Sequence, residues 1–209
     1  MNWPEGLLDL LFPPRCEICK KMGKEILCSE CMRQIKFMRP QMGVICATAY
    51  VGIMREALHC LKFKKRKKLV NPLGVLLVNY LSALPNFDVR EIDLIVPIPL
   101  HPRRLRQRGF NQSQLLANAV SKYFGVPEKD LLLRIRDTKP QFDLSRKERL
   151  SNIVGAFKVS NPHFVSNKRV LLVDDIYTTG ATMTEGIKVL KAAGAKRIEI
   201  LTMARAIED

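Results

Sequence analysis

Val170 to Val173 are four apolar residues in a row, followed at once by Asp174 and Asp175 and then by Ile-Tyr-Thr-Thr-Gly-Ala-Thr. So short an apolar run, bounded by carboxylates, suits a strand buried on both faces of a parallel sheet. A helical period follows from about Thr182 to Ala193, with Met183, Ile187 and Leu190 on one stripe and Gly194 placed to end it. No other stretch constrains the fold as much. A parallel strand needs crossover connections, so the rest of the chain must supply further strands and helices of an α/β fold.

The turn between strand and helix carries its own chemistry. A helix N-terminus offers free N–H groups and the positive end of a dipole, which together attract a phosphate. Gly180 lets a ligand approach the backbone closely, and Thr178, Thr179 and Thr182 add hydroxyl donors. Two adjacent acids are useless as phosphate ligands but suit sugar hydroxyls, directly or through Mg2+. A helix N-cap accounts for one of the acids but not for both beside this loop. The expected ligand carries a phosphate at one end and a ribose diol beyond it.

The remaining pattern fits that architecture. Strands are expected at 45–51, 92–98, 131–135, 156–159 and 198–203, and helices at 54–61, 71–84 and 111–124, the last stopped by Gly125. The polar stretch 136–155 reads as a loop. Met1 to Phe12 has Glu5 and Asp9, lacks a basic leader and breaks at Pro13-Pro14, so it reads as a short helix on its own domain and not as a signal peptide. No apolar run is long enough to span a membrane, and a cytoplasmic location is expected.

Cysteine usage agrees with a reducing compartment. Cys16, Cys19, Cys28 and Cys31 form two C-x2-C pairs eight residues apart, whereas Cys46 and Cys60 stand apart. Each pair lets one tight turn aim two thiolates at the same ion, and four thiolates close a tetrahedral Zn2+ site with no open position. The role expected is structural; an iron–sulfur cluster is the weaker alternative for such a donor set. Residues 1–44 are therefore set off as a segment with a metal knob, and 45–209 as the α/β domain.

Charge poses the second functional question. The chain has 35 Lys+Arg against 20 Asp+Glu, a formal +15, and residues 170–209 contribute none of the excess. Such a balance points to polyanionic partners. The densest cluster is Lys62, Phe63, Lys64, Lys65, Arg66, Lys67 and Lys68, where basic residues flank an aromatic ring as they do in single-strand binders. Further clusters lie at Arg103 to Arg108 and at Arg134 to Arg149.

The segment VLLVDDIYTTGAT resembles the phosphoribosyl pyrophosphate (PRPP) motif of type I phosphoribosyltransferases. With the C-x2-C pairs, LKFKKR, VPIPLHPRRLRQRGFNQS and TKPQ…GAF, nearly the whole chain is similar to the ComF family of competence proteins. The resemblance implies a parallel twisted sheet flanked by helices, with a small zinc-finger-like knob. It implies that Asp174 and Asp175 take the ribose hydroxyls, and that Thr178, Thr179, Gly180, Ala181 and Thr182 cradle the 5′-phosphate. Arg103 and Arg104 would hold pyrophosphate, and Lys139, Arg146 and Arg149 would reach it from a mobile loop. Mg2+ would accompany PRPP. The family role implied is uptake and handling of single-stranded DNA in natural transformation, with a DNA-import helicase as a partner. The alternative is a Mg2+-dependent phosphoribosyltransferase acting on a small nitrogen nucleophile, with Asp174 and Asp175 as its catalytic acids.

Overall fold

Val170, Leu171, Leu172 and Val173 are all fully buried, the outcome expected of a strand covered on both faces. In the computed structural model, which describes residues 13–40, 43–85, 87–138 and 146–207 (without the side chains of 146, 147, 149 and 150), that strand lies inside a parallel sheet. Chain order is α1 (Ser29–Arg33), β1 (Val44–Ala49), α2 (Gly52–Phe63), α3 (Val70–Ser82), β2 (Leu94–Pro97), α4 (Pro102–Arg108), α5 (Gln112–Phe124), β3 (Leu132–Arg134), α6 (Arg146–Ile153), β4 (Phe157–Val159), β5 (Arg169–Tyr177), α7 (Ala181–Ala192) and β6 (Arg197–Arg205).

The sheet runs β1-β6-β5-β2, with every neighbouring pair parallel. Alternation along β5 sorts its residues between two apolar layers. Leu171 and Val173 pack with Leu58 and Leu61 of α2, Leu73 and Leu77 of α3, and Leu116 and Val120 of α5. Val170 and Leu172 pack with Met183 and Leu190 of α7 and with Leu132 and Phe157. Gly74 brings α3 against α5 so closely that a Cβ there would lie 2.8 Å from the Cβ of Ala119.

Three differences from the sequence reading have physical causes. β5 does not stop at Val173: Asp174 and Ile176 continue the ladder opposite Thr202 and Ala204 of β6. The strands read at 131–135 and 156–159 form a separate antiparallel pair, with Leu133 opposite Lys158 and facing outward. The polar stretch between them contains α6, and the basic run after Pro99 contains α4. Neither helix shows an apolar stripe. Among the described residues of α6 only Ile153 is buried, and none of α4 is. Local chemistry sets α4 instead, with Pro102 in its first turn and Gly109 at φ 84° ending it.

The cysteine segment is not a detached bead. Cys16, Leu27, Cys31 and Ile35 belong to the same apolar layer as Leu58 and Leu61. Residues 36–38 add a short antiparallel rung to the edge of β1, through Ala49 N–H to Lys36 C=O (2.8 Å) and Met38 N–H to Ala47 C=O (3.1 Å). The segment Met1 to Phe12 and Lys139 lie outside the described residues. Among those described, no helix is long and apolar enough to cross a membrane.

Candidate ligand pocket and metal centre

Parallel sheets leave a crevice beyond the carboxyl ends of their strands, where ligands collect. Here it is a cavity of about 660 Å³, bounded by the ends of β2 and β5, the starts of α5 and α7, and the end of α2. Asp174, Asp175, Thr178 and Thr182 of the predicted motif line it. Asp174 Oδ1 accepts hydrogen bonds from Ser113 Oγ at 2.7 Å and from the Asp175 amide at 2.8 Å. Burial first, and then the charge of Asp175, push the Asp174 carboxyl up to about 7. Asp175 is only 4% exposed; its Oδ1 pairs with Lys62 Nζ at 2.9 Å, while its buried Oδ2 has no hydrogen-bond partner.

The turn into α7 has the geometry its sequence demands. Gly180 adopts φ 78° at the N-cap, and its carbonyl accepts the first helical bond, from Thr184 N–H at 2.8 Å. A Cβ at this position would collide with the Tyr177 hydroxyl and approach Tyr177 Cζ to 2.9 Å. Glycine suits this position on both counts, the positive φ and the close approach of Tyr177. Thr179 Oγ1 accepts from the Ala181 amide, as a hydroxyl at a helix start does.

The two arginines predicted after β2 part company. Arg104 lines the cavity, and its guanidinium donates to the Thr138 carbonyl. Arg103 turns outward to Asp137, at 3.2 Å and 66% side-chain exposure. His101, whose Nδ1 accepts from the Arg103 amide, lies 3.5 Å from the same carboxylate. The backbone of Arg146 and Arg149 is in α6; their side chains, like Lys139, lie outside what is described.

Three lining residues were not singled out from the sequence. Ser113 follows the α5 N-cap Asn111, whose side chain is itself anchored by donating to the Ile98 carbonyl at 2.9 Å. Arg134 is 8% exposed, donates to Thr138 Oγ1 and keeps a buried Nε without a partner. Its burial and the neighbouring Arg104 bring it down to about 10. Arg108, also drawn down by burial, stands over the Phe63 ring at 5.8 Å. Arg134 and Arg108 did lie inside clusters visible in the sequence, but nothing in a run of arginines says which one points inward.

The cluster at 62–68 is likewise divided. Lys62 and Lys65 line the cavity together with Phe63. Lys64 pairs with Glu56 at 3.0 Å, and Arg66 with Glu17 of the cysteine segment at 3.6 Å. Lys67 and Lys68 face solvent.

The four cysteines converge as their spacing predicts. Their sulfurs all lie within 4.8 Å of one another, with Cys16–Cys31 at 3.8 Å and Cys19–Cys28 at 3.6 Å. Four thiols at this separation are the donor set of a closed zinc site. Against the cost of burial, the N–H groups of Cys28, Ile18 and Cys19 draw the Cys16 thiol down, while burial and the neighbouring sulfurs push Cys31 up, as expected of thiols that titrate together. Cys46 and Cys60 are buried elsewhere.

Comparison with known proteins matches two family models. Residues 7–62 match the double zinc ribbon domain family, and residues 111–209 the phosphoribosyl transferase domain family. The chain is 31% identical to competence protein F of Haemophilus influenzae over 92% of its own length and 97% of that protein's. It is 28% identical to the DNA utilization protein YhgH of Escherichia coli K12, over 95% and 86% of the two chains. Similarity to solved structures is looser: adenine phosphoribosyltransferase from Thermoanaerobacter pseudethanolicus gives a TM-score of 0.42 at 15% identity, over 68% of this chain and 83% of that one. The assignment therefore rests on the sequence relatives and on the strand–turn–helix they share a family with. The chain belongs to the ComF family of competence proteins, built on a phosphoribosyltransferase domain with a zinc ribbon at its start.

Proposed function

We propose that the pocket binds PRPP with Mg2+, and that the protein uses this site while handling single-stranded DNA taken up in natural transformation. The observation that carries the reading is the pair Asp174 and Asp175 in the second half of β5, five residues before the glycine-capped start of α7, with Thr178 and Thr182 lining the same cavity. In this reading the acids hold the ribose diol and its Mg2+. The turn from Thr178 to Thr182 takes the 5′-phosphate on the α7 N-terminus. Arg104 and Arg134, both lining the cavity, suit the pyrophosphate end. Mg2+, when bound, would neutralise charge on the diphosphate; the acids and arginines of the chain position it.

The DNA half draws on the relatives, which are named for competence and for DNA utilization. It draws also on the basic excess, which includes the solvent-facing Lys67 and Lys68. The location we infer is cytoplasmic. A transformation assay tests both halves together. A host lacking its own copy of the gene is complemented with wild type or with Asp174→Asn/Asp175→Asn, and zinc content confirms that the variant is intact. Loss of transformants with the variant is the expected result; wild-type transformation by a zinc-loaded variant would sink the reading.

One observation favours turnover as well. Asp174 lines the cavity with its Oδ1 held by Ser113, and burial and the charge of Asp175 push its carboxyl up to about 7, so it can pass a proton when a nitrogen nucleophile displaces pyrophosphate. Release of pyrophosphate from PRPP in the presence of purine bases or amines, absent in Asp174→Asn, is the corresponding assay.

A further inference from the structure

The cation closest to the acid pair comes from the chain itself. Lys62 leaves the last turn of α2, a separate element from the strand that carries the acids. Its Nζ sits 2.9 Å from Asp175 Oδ1, with 17% of the lysine side chain and 6% of the aspartate side chain exposed. Asp175 Oδ2 is buried with no hydrogen-bond partner, and the residue lines the cavity. A carboxylate so enclosed needs a positive partner, because an unpaired charge out of water is costly. A divalent cation bound at the same carboxylate supplies the same compensation and meets the lysine ammonium as a like charge at close range, so the two compete for Asp175.

Position in the chain gives this exchange a consequence. Lys62 opens the basic segment, whose next residues turn sharply. Phe63 ends α2, Lys65 adopts φ 53°, and Arg66 donates its amide to the Cys60 carbonyl at 3.2 Å. Lys64 pairs with Glu56 where both side chains are largely exposed, and Arg66, 54% exposed, reaches the partly buried Glu17 at 3.6 Å; pairs at the surface contribute little. The Lys62–Asp175 pair is thus a buried ion pair that ties the start of the segment to the sheet, while Leu69, just past its end, is fully buried in the apolar layer.

We propose that Lys62 is a built-in counter-ion of the acid pair, exchanged for a divalent cation when a metal-bearing sugar phosphate enters, so that the exchange releases the segment from Lys62 to Lys68. The proposal deepens the PRPP reading and rests on it for the identity of the natural ligand. Its first test does not need PRPP. Mn2+ alone is titrated into zinc-loaded protein and followed by electron paramagnetic resonance, comparing wild type with Lys62→Met, which keeps the aliphatic stem. Removing the competitor tightens Mn2+ by about tenfold, within the range ordinary for coupled sites, and adding Asp175→Asn abolishes the gain. Equal Mn2+ affinity in the two proteins, weaker affinity in Lys62→Met, or no binding by either overturns the exchange.

Hydrogen exchange reads the release. In wild type, Mg2+ with PRPP increases exchange at the amides of 62–68; in Lys62→Met these amides exchange at the raised rate without ligand. Unchanged or identical protection in both proteins overturns the coupling. Should wild type fail to bind PRPP while the Mn2+ result holds, the PRPP reading falls and the counter-ion stands.

Discussion

The cysteine knob and the acid-pair pocket both force groups of like chemistry together, with opposite effects on the fold. In the knob four sulfurs lie within 4.8 Å of one another, and Cys16 and Cys31 are part of the main apolar layer. A bound zinc ion turns that crowding into folding energy. In the pocket, Asp174 and Asp175 adjoin, Arg134 is buried beside Arg104, and three buried polar atoms of the lining, Gln112 Oε1, Arg134 Nε and Asp175 Oδ2, have no partner. Those unpartnered atoms cost the fold until a ligand arrives. The knob stabilises the scaffold; the pocket draws on that stability.

This contrast can be broken most forcefully at the knob. Structural zinc sites contribute roughly 10–16 kcal/mol, comparable to or more than the ~5–15 kcal/mol that holds an ordinary domain together. Chelation of zinc, or Cys16→Ser/Cys31→Ser, should therefore unfold α2 and α3 along with the knob. Calorimetry should show the whole transition collapse. A small separate transition with the α/β domain unaffected would instead mark residues 1–44 as an independent unit.

Arg134→Met is the matching change at the pocket and should act in the reverse direction. It removes a buried cation with an unsatisfied Nε, so thermal stability should hold or rise, as it does when functional strain is relieved. PRPP affinity should fall by about 10- to 100-fold, the range for one charge-assisted anion contact. A loss of stability with unchanged affinity would make Arg134 a scaffold residue.

Asp174 gives a gentler, pH-dependent version of the same comparison. Its carboxyl rises from an ordinary value of 3.8 to about 7 in the folded protein. The folded state thus holds this proton more tightly than the unfolded chain does. Stability from this group is present below about 4 and is lost as pH climbs through about 7. Asp174→Asn removes the dependence, so its melting temperature should gain on wild type between pH 5 and pH 8. A gap that does not change across that window would contradict the raised value.

The smallest effect is expected on the outer surface. Lys67→Gln/Lys68→Gln should weaken single-stranded DNA binding several-fold and lower the salt slope by about 1.4, or 0.7 per lost contact. PRPP binding should be untouched, since neither residue lines the cavity.

The same contrast explains what the sequence disclosed. The knob's ligands are local, two tight turns within sixteen residues, so spacing alone identified all four. The core of β5 and its turn were equally plain, because the apolar run, the acids and the glycine are contiguous. The pocket's other walls are brought in by topology from positions 62, 104, 108, 113 and 134. A run such as RRLRQR looks the same whether its second arginine or its first faces inward, and only the pitch of α4 decides. Lys62 read as one lysine among six basic residues in the segment; burial against Asp175 separates it from them. Helix α6 was hidden because, among its described residues, only Ile153 is buried.

Isothermal calorimetry with PRPP and Mg2+ on zinc-loaded wild type and Asp174→Asn/Asp175→Asn tests the central claim most directly. The account predicts saturable binding of PRPP to wild type that requires Mg2+, and at least a hundredfold loss in the variant, as expected when both ligands to a diol and its metal are removed. Equal binding by the two proteins would contradict it.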